Sequence, residues 1–185
     1  MAQQIVKVEE KGRKRGGRTL AAIVIGGMFS VVALAPAAHA ATTDATFTLT
    51  GGALEINAPL SAALANGVAG DPSVAGSLGI TTVTDDRGSE AGWVASRASS
   101  SFTGPGADIL NSAVTYTPGA VTGTTLGEVT PVAGATGLMT TAQTAFSGTL
   151  AVGNNEASWT PSIAVALPGN ALAGNFTGTI THSVL

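Results

Sequence analysis

The sequence predicts an all-β fold, a single antiparallel β-sandwich over residues 41–185, and three observations carry that expectation. Short runs of alternating polar and apolar residues recur between Gly, Pro, Asn and Asp punctuation. Thr and Val are abundant in those runs, whereas Lys, Arg and Gln are scarce, which is β rather than helix composition. The segment is long enough for one core, and it contains no cysteine, so packing and sheet hydrogen bonds alone must hold it.

Residues 1–40 read as a helical secretory signal peptide ahead of that domain. Lys7, Lys11, Arg13, Lys14, Arg15 and Arg18 oppose only Glu9 and Glu10 in a basic head suited to the cytoplasmic leaflet. Leu20–Ala35 is apolar and uncharged, and Ala38-His39-Ala40 offers an A-x-A cleavage site. The apolar run is shorter than the ~20 residues of a comfortable membrane span. Gly26-Gly27 also interrupts it, so cleavage after Ala40 is expected over an uncleaved anchor. Arg13-Lys14-Arg15 is not a twin-arginine signature, which favours general secretion. No second apolar run follows, so no stable membrane span is expected after cleavage.

The first strand is expected at Thr46–Thr50, where polar and apolar residues alternate, and after Gly51-Gly52 the alternation resumes at Ala53–Ile56. Leu60–Val83 is less regular, with loops at Gly67, Gly70, Pro72 and Gly76 and room for a turn or two of helix at Ser61–Ala65. Further strands are expected at Ile80–Asp85, Gly92–Phe102, Ile109–Thr117, Ala145–Val152, Ser158–Leu167 and Gly174–Val184. Gly119–Gly137 reads as a long loop or a weak hairpin.

The densest chemical signal is Asp85-Asp86-Arg87-Gly88-Ser89-Glu90, followed by Gly92-Trp93. It reads as a charged hairpin turn in which Arg87 pairs with a neighbouring carboxylate, with a core tryptophan behind it. The functional alternative makes Trp93 a platform for a sugar ring, with Asp85, Asp86 and Arg87 orienting hydroxyls at its rim. Trp159 shares its parity with Ile163, Val165 and Leu167 and is expected to face the core. In the last strand Phe176, Gly178, Ile180, His182 and Val184 share one face, and the intervening hydroxyls share the other. His182 therefore reads as a satisfied, partly buried histidine rather than a base or ligand, although it stays among the candidate ligand-binding residues with Trp159.

Charge narrows the function classes. Residues 41–185 retain only Arg87 and Arg97 as cations, against Asp44, Glu55, Asp71, Asp85, Asp86, Glu90, Asp108, Glu128 and Glu156, a net of −7. A surface of that sign repels phosphate backbones and anionic lipid, so nucleic acid is not an expected partner. No cofactor or enzymatic activity is expected: there is no cysteine nucleophile, nucleophile elbow or phosphate loop. No metal is expected either, since adjacent aspartates in a strand point to opposite faces and the spaced oxygens of a calcium loop are missing.

Residues across most of this segment resemble the WxL surface domains of Gram-positive bacteria, especially their divergent actinobacterial form. The resemblance rests on Thr46–Gly52, Val83–Gly88 with Gly92-Trp93, Ser158-Trp159-Thr160-Pro161, Leu167-Pro168 and Gly174–Val184. In that family a first Trp-x-Leu follows an Asp-x-Arg-Gly turn and a second lies in the final strand. The corresponding triplets here are Trp93-Val94-Ala95 and His182-Ser183-Val184. The resemblance implies an Ig-like sandwich, export, and non-covalent attachment to the cell wall, with peptidoglycan or another wall polymer as ligand. The resulting expectation is a secreted, non-enzymatic cell-surface protein. The alternative is a self-assembling surface or fibre subunit, or a module binding another surface protein, suggested by Thr-rich terminal strands that lack edge-protecting lysines.

Overall fold

The computed structural model describes residues 41–125 and 127–185; the expected signal peptide lies outside them. The chain divides into two units, Met1–Ala45 and Thr46–Leu185, and the strands below belong to the second. In chain order they are β1 (Leu54–Asn57), β2 (Ser73–Ser77), β3 (Thr81–Ser89), β4 (Trp93–Ser99), β5 (Val114–Thr117) and β6 (Val121–Thr125). They continue with β7 (Glu128–Ala133), β8 (Gly137–Leu138), β9 (Gln143–Trp159), β10 (Ser162–Ala166) and β11 (Ile180–Val184). A 3-10 turn at Asn111–Ala113 leads into β5.

β9 is the spine. Its C-terminal half pairs with β3 on one flank, from Thr81 opposite Trp159 to Ser89 opposite Gly153, and with β6 on the other. Its N-terminal half pairs with β4, from Trp93 opposite Gly148 to Arg97 opposite Gln143, and with β7 on the far side. β3 and β4 therefore run end to end along one side of a single strand, and β6 and β7 along the other. β1 lies outside β3, and β11 outside β4. A second sheet, in the order β2-β10-β5-β8, covers the inner face, and all pairings are antiparallel. Together the sheets form a nearly closed, barrel-like sandwich, as the all-β expectation required.

The long spine bends because its backbone turns left-handed twice, at Leu150 (φ 52°) and Gly153 (φ 69°). It ends where Pro161, which has no N–H for the ladder, directs the chain from one sheet into the other at β10. The sequence reading had placed one strand across this corner, at Ser158–Leu167.

Five other expectations change. The Asp85–Gly92 segment is not a hairpin turn, because β3 and β4 do not pair with each other. It is a bulge in a continuous line: three residues, Asp86 to Gly88, oppose the single Asn154 of β9, with Gly88 at φ 62°. Thr46–Thr50 forms no strand. Gly52 donates to the Asp86 carbonyl beside β3, but farther along that line the edge of β4 is taken by β11, whose end bonds Leu185 to Val94 in both directions. Gly119–Gly137 is neither loop nor hairpin, since β6 and β7 both pair with β9. Ser61–Ala65 is not helical, and β11 is limited to Ile180–Val184.

Small residues make room for large ones in the core. Val83, Trp93, Ala95, Ala157 and Trp159 on the first sheet face Val114, Tyr116, Ile163 and Val165 on the second. A bulge between Ala95 and Ser96 skips Ala145, so consecutive residues Ala145 and Phe146 are both buried. Trp159 stacks between Phe146 (centroids 4.7 Å apart) and Trp93 (6.4 Å, planes 17° apart). Each such contact adds about 0.5–1.5 kcal/mol beyond the area it buries. Gly148, directly across from Trp93, has no side chain because the indole fills that space. Gly148→Ala should therefore lower unfolding stability by about 1–3 kcal/mol through overpacking. The check is a shift of the urea midpoint with an unchanged slope.

Candidate functional site

β3 carries Thr81, Val83 and Asp85 on its inner face, so the alternation that buries valine also buries a carboxylate; Asp85 is 1% exposed. The bulge after Asp85 turns Arg87 back onto it. Arg87 Nε donates to Asp85 Oδ1 at 2.9 Å and Nη2 to Oδ2 at 2.9 Å, and the Arg87 backbone N–H adds a bond of 3.1 Å to Oδ1. This is the bidentate fork that guanidinium and carboxylate geometry favours. Arg87 Nη2 also donates to the carbonyls of Gly92 (3.0 Å) and Ala91 (3.3 Å), closing the loop that returns the chain to β4. Hydrogen bonding from Arg87 holds the Asp85 pKa below its usual 3.8, against the opposing effect of burial.

The network continues inward. Asn155, fully buried on β9, donates through Nδ2 to Asp85 Oδ2 (3.4 Å) and to the Gly153 carbonyl (3.2 Å). Its Oδ1 accepts the indole N–H of Trp93 at 3.1 Å. Trp93 is stacked on Trp159, whose N–H donates to the Tyr116 hydroxyl at 3.4 Å; that hydroxyl lies 3.1 Å from His182 Nε2. An indole N–H can only donate, so the Tyr116 oxygen accepts from Trp159, and the tautomer of His182 sets which partner donates in the Tyr116–His182 bond. Burial, reinforced by the positive charge of Arg97, pushes the His182 pKa below 6.5, in keeping with a neutral ring.

Arg97 completes the site, although the sequence reading counted it only as a cation. It is 1% exposed and, among the described residues, forms no salt bridge with a carboxylate. Its guanidinium lies 4.3 Å from the Tyr116 ring centroid and donates to the carbonyls of Tyr116 (3.3 Å) and Ala135 (2.8 Å) and to Gln143 Oε1 (3.0 Å). Its Nε has no partner, and burial lowers its pKa from the usual arginine value. One side chain thus ties β4 to β5, to the β7–β8 connection and to β9. The available sequence signal was parity: Arg97 lies two and four residues beyond the inward-facing Ala95 and Trp93. Asn155 similarly sits two before Ala157, and Tyr116 two after Val114.

Of the six candidates, Asp85, Arg87, Trp93, Trp159 and His182 belong to this one network. Asp86 points away from it, half-buried, with its backbone bonded to Gly52 and Ala53. The platform reading of Trp93 is corrected: at 2% exposure, sandwiched in the core, the indole has no face for a sugar ring. Trp159, fully buried, offers none either. Among the described residues no three His, Cys, Asp or Glu are grouped to hold a metal ion, and no helix is long and apolar enough to cross a membrane. Comparison with known protein families, with curated proteins and with solved structures finds no match to this chain. Fold and site together define an antiparallel β-sandwich whose two sheets are tied by a buried polar–aromatic chain.

Two acid-induced losses of stability follow. His182 has its folded pKa depressed, so its contribution is complete above about pH 6.5 and falls as the pH drops below that value. Asp85 contributes fully above its unfolded value of 3.8 and loses that contribution as the pH falls through its lower folded value. His182→Gln, which can still accept from Tyr116, should flatten the first limb in urea titrations across pH, and Asp85→Asn the second. Asp85→Asn should also cost about 3 kcal/mol at neutral pH, the low end for a broken buried pair, because Arg87 is 28% exposed and can reach water. Trp93→Ala, which opens a cavity and orphans Asn155 Oδ1, should cost about 3–5 kcal/mol by the same measurement.

Proposed function

We propose that this chain is a secreted, non-enzymatic cell-surface protein whose WxL-like sandwich associates non-covalently with the bacterial cell wall. The carrying observation is that its chemistry-bearing side chains are spent on one another. Asp85, Arg87, Asn155 and Trp93 tie the strands of the first sheet, and Trp159, Tyr116 and Arg97 tie that sheet to the second, an arrangement that favours a scaffold over a reaction centre. The resemblance to the WxL family and the leader-like residues 1–40 supply the location: outside the membrane, at the wall.

The internal use of both arginines shapes what the exterior can bind. With Arg87 and Arg97 engaged, the described surface carries carboxylates with no other arginine or lysine to balance them. Such a face suits neutral glycan, amine-bearing peptide stems or cation-bridged wall polymers better than free anionic polymer. Recognition would be shallow, with many copies on a repeating polymer gaining avidity. The test is to mix the purified chain with washed cell-wall sacculi and sediment them, with and without a chelator. Pelleting with the wall is expected, and chelator release would identify cation bridging. A chain that stays in the supernatant under both conditions would refute wall binding.

A further inference from the structure

We propose that Thr46–Thr50 is a donor strand that pairs with the free edge of β6 on a second copy of this chain. The segment Thr-Phe-Thr-Leu-Thr has the composition and period of a strand, yet among the described residues it has no ladder partner. Its alternation places Phe47 and Leu49 on one face, and each is 86% exposed. Two large apolar side chains held out in register form one half of a β interaction.

The other half is β6. It pairs with β9 on one side only, and all five of its residues, Val121 to Thr125, are exposed. Its sequence contains no lysine, charge or proline to stop the edge from recruiting another strand; its one irregularity is the register shift at Thr122 in its pairing with β9. The neighbouring β7 has such protection in Glu128 and Pro131, so on this flank of β9 the unguarded edge is confined to β6. Donor and acceptor match in length at five residues each. On β6, Val121 and Thr124 lie opposite the buried Trp159 and Ala157 and so share their face of the sheet. An added strand in the matching register would place Phe47 and Leu49 on that side.

The topology directs the pairing to another molecule. The donor is anchored through Gly52, which bonds to Asp86 on the line outside β3. β3 and β9 lie between that line and β6, so the two halves occupy opposite edges of the sheet, about 14 Å apart. A contact between two different surfaces of one chain is head-to-tail and does not close at two copies, so it builds chains or rings. Main-chain bonds would supply the attachment and the two apolar side chains its register.

The test uses the whole chain and two variants. One removes the donor face (Phe47→Asp with Leu49→Asp), and the other guards the acceptor edge (Thr122→Lys). The parent should form multimers beyond dimer as concentration rises, measured by sedimentation velocity. Each variant alone should remain monomeric, and an equimolar mixture of the two should stop at a heterodimer, since one intact donor meets one intact acceptor. Melting temperatures should match the parent, because the altered side chains are exposed. A parent that stays monomeric throughout, assembly that survives loss of Phe47 and Leu49, or variants that fail to complement would each overturn the proposal. The donor variant also separates this inference from wall binding: sacculi that still pellet it show that attachment does not need assembly.

Discussion

Two buried indole N–H groups and one buried carboxylate must find partners inside this sandwich, and the rest of the structure is arranged around that requirement. An unpaired buried polar group costs about 1–3 kcal/mol, a large share of a domain's net stability. The Asp85 carboxylate meets it by accepting from Arg87 on its solvent side and from Asn155 on its core side. Asn155 passes the demand to Trp93, and across the tryptophan stack Tyr116 and His182 do the same for Trp159. The bulge in β3 exists in this shape because Arg87 must fold back over Asp85 while the chain continues along β9.

β9 is the mechanical counterpart of that chemistry. A single strand with partners on both flanks over two successive stretches makes four other strands depend on its path. It also contributes Asn155, Phe146, Trp159 and the space above Gly148 to the core. Of its left-handed residues, Leu150 falls in the gap between the β4 and β3 pairings, and Gly153, opposite Ser89, opens the β3 pairing. Arg97 then binds the N-terminal end of β9 to the second sheet through Gln143 and the Tyr116 carbonyl. A cysteine-free domain rich in alanine and threonine thus obtains its cross-ties from polar side chains rather than from disulfides.

Much of the fold was legible because strand parity is a local property. The inward positions of Trp159, of Val83 beside Asp85, and of Phe176, Ile180, His182 and Val184 all follow from period two, and the structure places them so. Pairing was not legible. Asp85–Gly92 looks like a hairpin turn in sequence, and only β9 running past both sides makes it a bulge. Thr46–Thr50 has strand composition without a strand, because the edge it would extend along is occupied by residues more than 130 positions away in sequence. Asn155 and Tyr116 drew no notice for a related reason: a lone polar residue becomes part of a network only when distant strands bring partners to it.

The sequence by itself determined the all-β class, the inward-facing residues, the absence of disulfides and the acidic balance of residues 41–185, since these depend on composition and on the two-residue repeat of extended backbone. Tertiary structure decided the rest. It withdrew Trp93 from the surface, folded Arg87 back onto Asp85, buried Arg97, and joined five of the six candidate residues into one hydrogen-bonded and stacked chain. It also left one strand-like segment and the uncharged outer edge of β6 without partners among the described residues. The physical reason is that parity chooses which face a side chain takes, whereas long-range pairing chooses what that face meets.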